Sequence, residues 1–168
     1  MPYGLDGDLF QNGGYCKNIL GNLPVHGRDI LELGENEMKL RRYQMAKDFA
    51  LQSRGNTTNG QTKIFDGSFT VRQSCMDAVD DIYCHHYFKR CYVSSEPQKI
   101  CRETCEELFF KLCDREYKMV LKFNLMAIIR RYPFSWDIIN CTTLPFRNES
   151  SNCYYPDRIR GQYKRSAN

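Results

Sequence analysis

The sequence predicts a mainly α-helical, disulfide-rich domain. Eight of its nine cysteines fall between residues 75 and 153. Several stretches carry apolar residues at helical spacing. Glycine, proline and polar turns separate those stretches. The length, 168 residues, suits one domain. Apolar residues at 42% and charged residues at 26% are ordinary for a globular chain, which excludes wholly disordered and fibrous classes. No apolar run approaches the ~18 residues of a membrane span.

The elements follow in order. Residues 1–15 are Gly-rich, with Gly4, Gly7, Gly13 and Gly14, and read as a flexible lead-in. Residues 16–35 hold short apolar stretches broken by Gly21, Pro24, Gly27 and Gly34, which suits short strands or turns. A first helix fits Glu37 to Ser53, with Met38, Arg42, Met45, Ala46 and Phe49 on one stripe. Arg54 to Lys63 is a polar loop. A second helix starts at Ser74-x-x-Asp77, a capping-box pattern, and Cys75, Val79, Ile82, Tyr83 and His86 form its buried stripe. Glu96-Pro97 interrupts. A third helix spans Gln98 to Phe123 on the stripe Cys101, Cys105, Leu108, Leu112 and Met119. Leu125 to Arg131 is a short fourth piece ended by Pro133. The rest is loop, and no internal repeat is present.

The formal charge is +4, but Arg158, Arg160, Lys164 and Arg165 against Asp157 supply +3 of it. The remainder is almost neutral, so a nucleic-acid partner is not expected. Residues 156–168 read as a basic linker toward a following domain. The cysteine density suits an oxidising compartment. Sequons at Asn56, Asn140 and Asn148 agree with it. Residues 1–6 begin no signal peptide, so the chain reads as a fragment of a longer secreted or cell-surface protein.

Three constellations bear on chemistry. Cys101-x3-Cys105 lacks further ligands at zinc spacing, and adjacent His85 and His86 point about 100° apart on a helix, so no metal is expected. Asp81 and His85 stand at i, i+4, as a carboxylate orienting an imidazole would, but no nucleophile accompanies them. They read as a solvated helical ion pair, and no catalytic residue is assigned. Tyr132, Phe134 and Trp136 are either core or the rim of an apolar groove, with core the plainer reading.

Cys75-x8-Cys84-x6-Cys91, Cys101-x3-Cys105-x7-Cys113, then Cys141 and Cys153, resemble the Frizzled-type cysteine-rich domain. Ile100-Cys-Arg-Glu-Thr-Cys-Glu-Glu-Leu and Leu112-Cys-Asp-Arg-Glu-Tyr117 look most like the ROR and MuSK receptor tyrosine kinases. Cys141-Thr-Thr-Leu-Pro145 and Asn152-Cys153 fit as well, and Arg131-Tyr-Pro-Phe-Ser-Trp136 is similar to the aromatic segment of Frizzled receptors. The resemblance covers about residues 15–155 and is specific over 75–153. It implies a mainly α domain over 16–155, with four helices and short N-terminal β-strands.

The family pattern has ten cysteines, paired first to fifth, second to fourth, third to eighth, sixth to tenth and seventh to ninth. Carried over in order, it implies Cys16–Cys91, Cys75–Cys113, Cys101–Cys153 and Cys105–Cys141. The second cysteine then falls at Pro24 and Cys84 is left unpaired. Cys84 also lies about 180° around the helix from Cys75, off the predicted buried stripe. The resemblance further implies an extracellular ligand-binding module of a single-pass cell-surface receptor. Its partners would be a Wnt-type lipidated protein or a fatty acid, with other receptor chains. The intracellular part would be a tyrosine kinase or pseudokinase, while this segment is no enzyme and needs no cofactor beyond a bound fatty acid. The acyl groove would use Tyr132, Phe134, Trp136 and Tyr154, with Phe49 and Tyr83 from the first two helices. The alternative is a lipid-carrying or structural cysteine-rich domain that does not bind Wnt.

Overall fold

The computed structural model describes residues 2–3, 16–21, 25–26, 34–41, 72–90, 97–132, 135–150 and 152–156. The fold is mainly α and disulfide-rich. Its described helices are α1 (Lys17–Leu20), α2 (34–41), α3 (Gln73–Tyr87), α4 (Arg102–Glu107) and α5 (Asp114–Arg130). A 3-10 turn, Cys141–Thr143, follows. Two short strands, β1 (Pro2–Tyr3) and β2 (Val25–His26), pair antiparallel with Pro2 opposite His26. Part of the predicted lead-in is therefore paired, and the apolar stretch after Cys16 is a helical turn rather than a strand.

α3 is the centre. Cys75, Val79, Ile82 and Tyr83 are buried, as the spacing predicts. Ala78, Cys84, His85 and Tyr87 are buried too, so the helix is enclosed on most sides. Cys16 and Leu20 cover it from α1, Leu40 from α2, Ile100, Cys105 and Leu108 from the α4 region, and Ile139 and Cys141 from the C-terminal segment. Fully burying one Leu or Ile side chain contributes roughly 1.5–3 kcal/mol.

α2 corrects the first predicted stripe. Glu37 and Leu40 face inward, whereas Met38 is exposed. The Asn36 side chain donates to the Tyr87 carbonyl at 3.0 Å, which fixes how this helix meets the end of α3. Residues 42–53 of the predicted helix lie outside the described residues.

The capping box at Ser74 and Asp77 does not form. Arg72 is the N-cap, with no side-chain cap bond. Glu116 of α5 takes over that role across the chain. Its carboxylate accepts the Arg72 backbone N–H at 3.0 Å and the guanidinium at 2.9 and 2.6 Å. Asp114 accepts the same guanidinium at 3.0 Å. Arg72 holds the Asp114 carboxyl below its usual range. At Glu116 burial pushes upward, but the Arg72 hydrogen bonds outweigh it and the carboxyl titrates low. Both shifts are depressions, so this clamp stabilises above the unfolded carboxyl range and is lost as pH falls through the lower folded values. Glu116→Gln is expected to cost about 2 kcal/mol at neutral pH and less in acid. Urea melts at pH 7 and pH 3 check it; equal midpoints for variant and wild type at pH 7 would show that Glu116 does not anchor α3.

His86 is a second acid-sensitive group. Burial, and then the nearby Lys89, push its imidazole down to about 4. The folded value lies below the unfolded one, so the folded state binds fewer protons between them and stability falls as pH drops from 6.5 toward 4. Between pH 7 and pH 4 the wild type should lose about 3 kcal/mol that His86→Gln retains. A parallel acid limb for the two proteins in denaturant melts would refute this.

The predicted continuous third helix is broken. Residues before α4 are extended, with Ile100 bridged to Tyr154. After α4 the chain widens into a π-helical turn, Leu108–Leu112, which Cys113 N–H closes onto the Leu108 carbonyl at 2.8 Å. That wider turn reorients the chain at Cys113, which is bonded to Cys75. α5 then starts afresh and runs through Leu125 to Arg130, absorbing the predicted fourth piece.

Four disulfides staple this frame. Cys75–Cys113, Cys101–Cys153 and Cys105–Cys141 are pairs that the family pattern implies. The fourth corrects the expectation. Cys16 is bonded to Cys84, not to Cys91, and Cys84 is neither unpaired nor outside the core. The physical reason is the enclosure of α3: α1 packs directly on the face that carries Cys84, so the side opposite Cys75 is buried too. Cys16 therefore takes the place of the second family cysteine, and the position without a counterpart is the first. The other eight being paired, Cys91 is the ninth cysteine; it lies outside the described residues.

Candidate functional site

α5 presents two unlike faces. Glu116, Phe123 and Ala127 are buried, one to two turns apart on the inner side. On the outer side Leu121, Leu125, Ile128 and Ile129 stand at i, i+4, i+7 and i+8, a single stripe by helical geometry. Soluble helices usually put polar residues there. Among the described residues nothing covers this stripe: Leu125 is 59% exposed and Ile128 75%. Exposed Lys122 borders it on one side, and exposed Lys118 lies in line with it at its N-terminal end.

On the other border lie Tyr132 and Trp136. Arg131 adopts a left-handed conformation at φ 53° and stops the helix. Tyr132 N–H returns to the Ala127 carbonyl at 2.9 Å, and its ring stacks on Phe123 with centroids 6.3 Å apart. Asn124 then clamps Trp136 from both sides. Its Nδ2 donates to the Trp136 carbonyl at 2.8 Å and its Oδ1 accepts the Trp136 N–H at 2.9 Å. On the helix Asn124 sits beside Leu121 and Ile128, so the Trp136 backbone is held next to the apolar stripe. Trp136 itself is half-buried against the core.

Of the aromatics expected in a groove, Tyr132 and Trp136 thus lie along α5. Phe49 and Phe134 are outside the described residues. Tyr83 does not line a groove: it is 2% exposed, and its hydroxyl donates to the Asp137 carbonyl. Burial, and then Asp137, raise its phenol well above the usual range. Tyr87 donates to the Asp137 carboxylate beside it. Tyr154 lies elsewhere. Its ring stacks on His85 at 3.7 Å and its hydroxyl donates to Asp81 at 2.9 Å. With Asn18, Ile19, Asp77, Asp80, Asp81 and Pro156 it lines a pocket of about 500 Å³ whose charge is acidic, unsuited to a hydrocarbon chain.

Asp81 and His85 are also not the solvated pair expected. His85 is 3% exposed, and its Nδ1 lies 2.8 Å from the Asp81 carbonyl and 3.3 Å from its carboxylate. Tyr154 lies over the ring, and the cluster holds the C-terminal segment to α3. Among the described residues no group of His, Cys, Asp and Glu is placed to hold a metal ion. Among them, too, no helix is long and apolar enough to cross a membrane. The sequence splits Leu121 from Leu125 and Ile128 between a helix and its short successor, which hides the stripe. Read as one helix, they form a clear i, i+4, i+7 set.

Comparison with known proteins fits this frame. A search of curated protein sequences found no match. The family model of the Fz domain matches residues 35–148, which hold α2 to α5 and the Cys75–Cys113 and Cys105–Cys141 bonds. That span is well over half of the chain, and four buried cross-links suit an extracellular setting. The chain, a cysteine-rich extracellular module, belongs to the Fz domain family.

Proposed function

We propose that this module is the ligand-binding unit of a ROR-like single-pass cell-surface receptor. It takes the acyl chain of a Wnt-type lipidated protein, or a free fatty acid, on the outer face of α5. The observation that carries the reading is the uncovered stripe Leu121, Leu125, Ile128 and Ile129. A hydrocarbon chain laid on that stripe removes apolar area from water on both partners, worth ~0.8 kcal/mol per methylene before ordering costs. The residues lead onward through 156–168 as a basic linker, and a kinase or pseudokinase inside the cell would carry the signal. A second reading is a lipid-carrying or structural module that does not bind Wnt. It draws support from Tyr83 and Tyr154, which do not join Tyr132 and Trp136 in one groove.

Native mass spectrometry of the protein purified from secreting cells tests the proposal. A co-purifying fatty acid, together with saturable binding of a lipidated Wnt protein, is expected. Lipid without Wnt binding would favour the second reading, and neither would overturn both acyl readings.

A further inference from the structure

We infer that Asn140 is a site of N-linked glycan addition whose occupancy is set by a race with closure of the Cys105–Cys141 disulfide. The sequon is Asn140-Cys141-Thr142, so a disulfide cysteine stands between the acceptor amide and the hydroxyl that completes the signal. In the folded protein Asn140 is exposed and its Oδ1 is turned back onto the chain. That oxygen accepts the Thr142 N–H at 3.1 Å and the Thr142 hydroxyl at 2.7 Å. The residue itself stays exposed beside this turn.

The same turn is a poor acceptor once closed. Cys141 is 8% exposed and tied to Cys105 on α4, which is fully buried. The Thr143 hydroxyl and N–H both bond the Asn140 carbonyl, and Leu144 N–H bonds the Cys141 carbonyl. An enzyme that grips the Asn amide, the intervening backbone and the Thr hydroxyl together must therefore act before this turn is pinned. Cys105 precedes Cys141 by 36 residues, so it has already entered the oxidising compartment when Cys141 arrives. Transfer and oxidation then compete for one tripeptide.

The chemistry balances on each side. In transfer, the Asn140 amide nitrogen bonds C1 of the first sugar, the C1–O bond to a lipid-pyrophosphate carrier breaks, the pyrophosphate leaves as an anion and the amide loses one proton. In closure, two thiols lose two protons and two electrons to a disulfide oxidant of the compartment. Asn148-Glu149-Ser150 is an internal control, because it is exposed at Asn148 and has no cysteine within it.

The inference rests on the extracellular reading, and the experiment separates the two. Chains secreted behind a signal sequence, and those retained in the cell, are digested together, and glycan occupancy at each sequon is counted by mass spectrometry. Wild type should show partial occupancy at Asn140. Occupancy should rise at least twofold in Cys105→Ser, and also in wild type made during a pulse of membrane-permeable reductant, which does not depend on that variant folding. Asn148 should not change. Occupied Asn148 with Asn140 empty, or unmoved in both arms, overturns the inference alone. Chains that are retained and do not form the four disulfides overturn the extracellular reading, whereas secreted, disulfide-bonded chains with no glycan at Asn140 in any arm overturn the inference alone.

Discussion

Replacing Cys84 by serine is expected to cost about 4 kcal/mol of unfolding free energy, while Cys91→Ser leaves stability within ~0.5 kcal/mol. Cys16 and Cys84 are 68 residues apart, the longest separation among the four bonds. In the chain-entropy picture, opening that loop releases the most unfolded-state freedom. Cys84 is also fully buried among Leu20 and Ile82, so the serine leaves a polar group in an apolar setting. Under the pairing carried over from the family in simple order, the two effects would exchange. Peptide mapping without reductant decides directly. A Cys16–Cys84 linked peptide, and one maleimide-reactive thiol on Cys91 after denaturation, are expected. A Cys16–Cys91 peptide would contradict the frame described here.

The second large effect is on binding. Leu125→Glu with Ile128→Glu should weaken acyl-chain binding at least tenfold and leave the melting temperature nearly unchanged. Both side chains are mostly solvated already, so the substitution removes little packing. A hydrocarbon chain crossing the new carboxylates would have to strip their water, which costs far more than a methylene contributes. Isothermal titration with a soluble fatty acid reads the change. Unaltered affinity would place the acyl site away from α5.

Much of the frame was legible in the sequence. Cys75, Val79, Ile82 and Tyr83 announce α3 because their spacing matches a helical turn. The Cys101-x3-Cys105 spacing of one turn points to helix here, although the expected start at Gln98 falls in extended chain and α4 begins at Arg102. What was not legible depends on contacts distant in sequence. The start of α3 is satisfied by Glu116, more than forty residues away, and a local capping pattern cannot reveal such a partner. The break at Cys113 comes from a π-helical turn inside an unbroken run of helix-compatible residues. Helical periodicity predicts a single buried side, which leaves Cys84 outside it, whereas α3 is packed on several sides. Two of the expected groove aromatics sit elsewhere for a similar reason. Tyr83 and Tyr154 are aromatic and near cysteines, but their hydroxyls bind Asp137 and Asp81 and fix them to structural duties.

Photolabelling tests the central claim most directly. A sixteen-carbon fatty acid bearing a diazirine near its terminal methyl is irradiated with the secreted protein, and the labelled peptides are sequenced. The account predicts labels within residues 121–132, centred on Leu125 and Ile128, and their loss in the Leu125→Glu, Ile128→Glu variant. Labels confined to the acidic pocket around Tyr154, or saturable labelling that leaves α5 untouched, would contradict it.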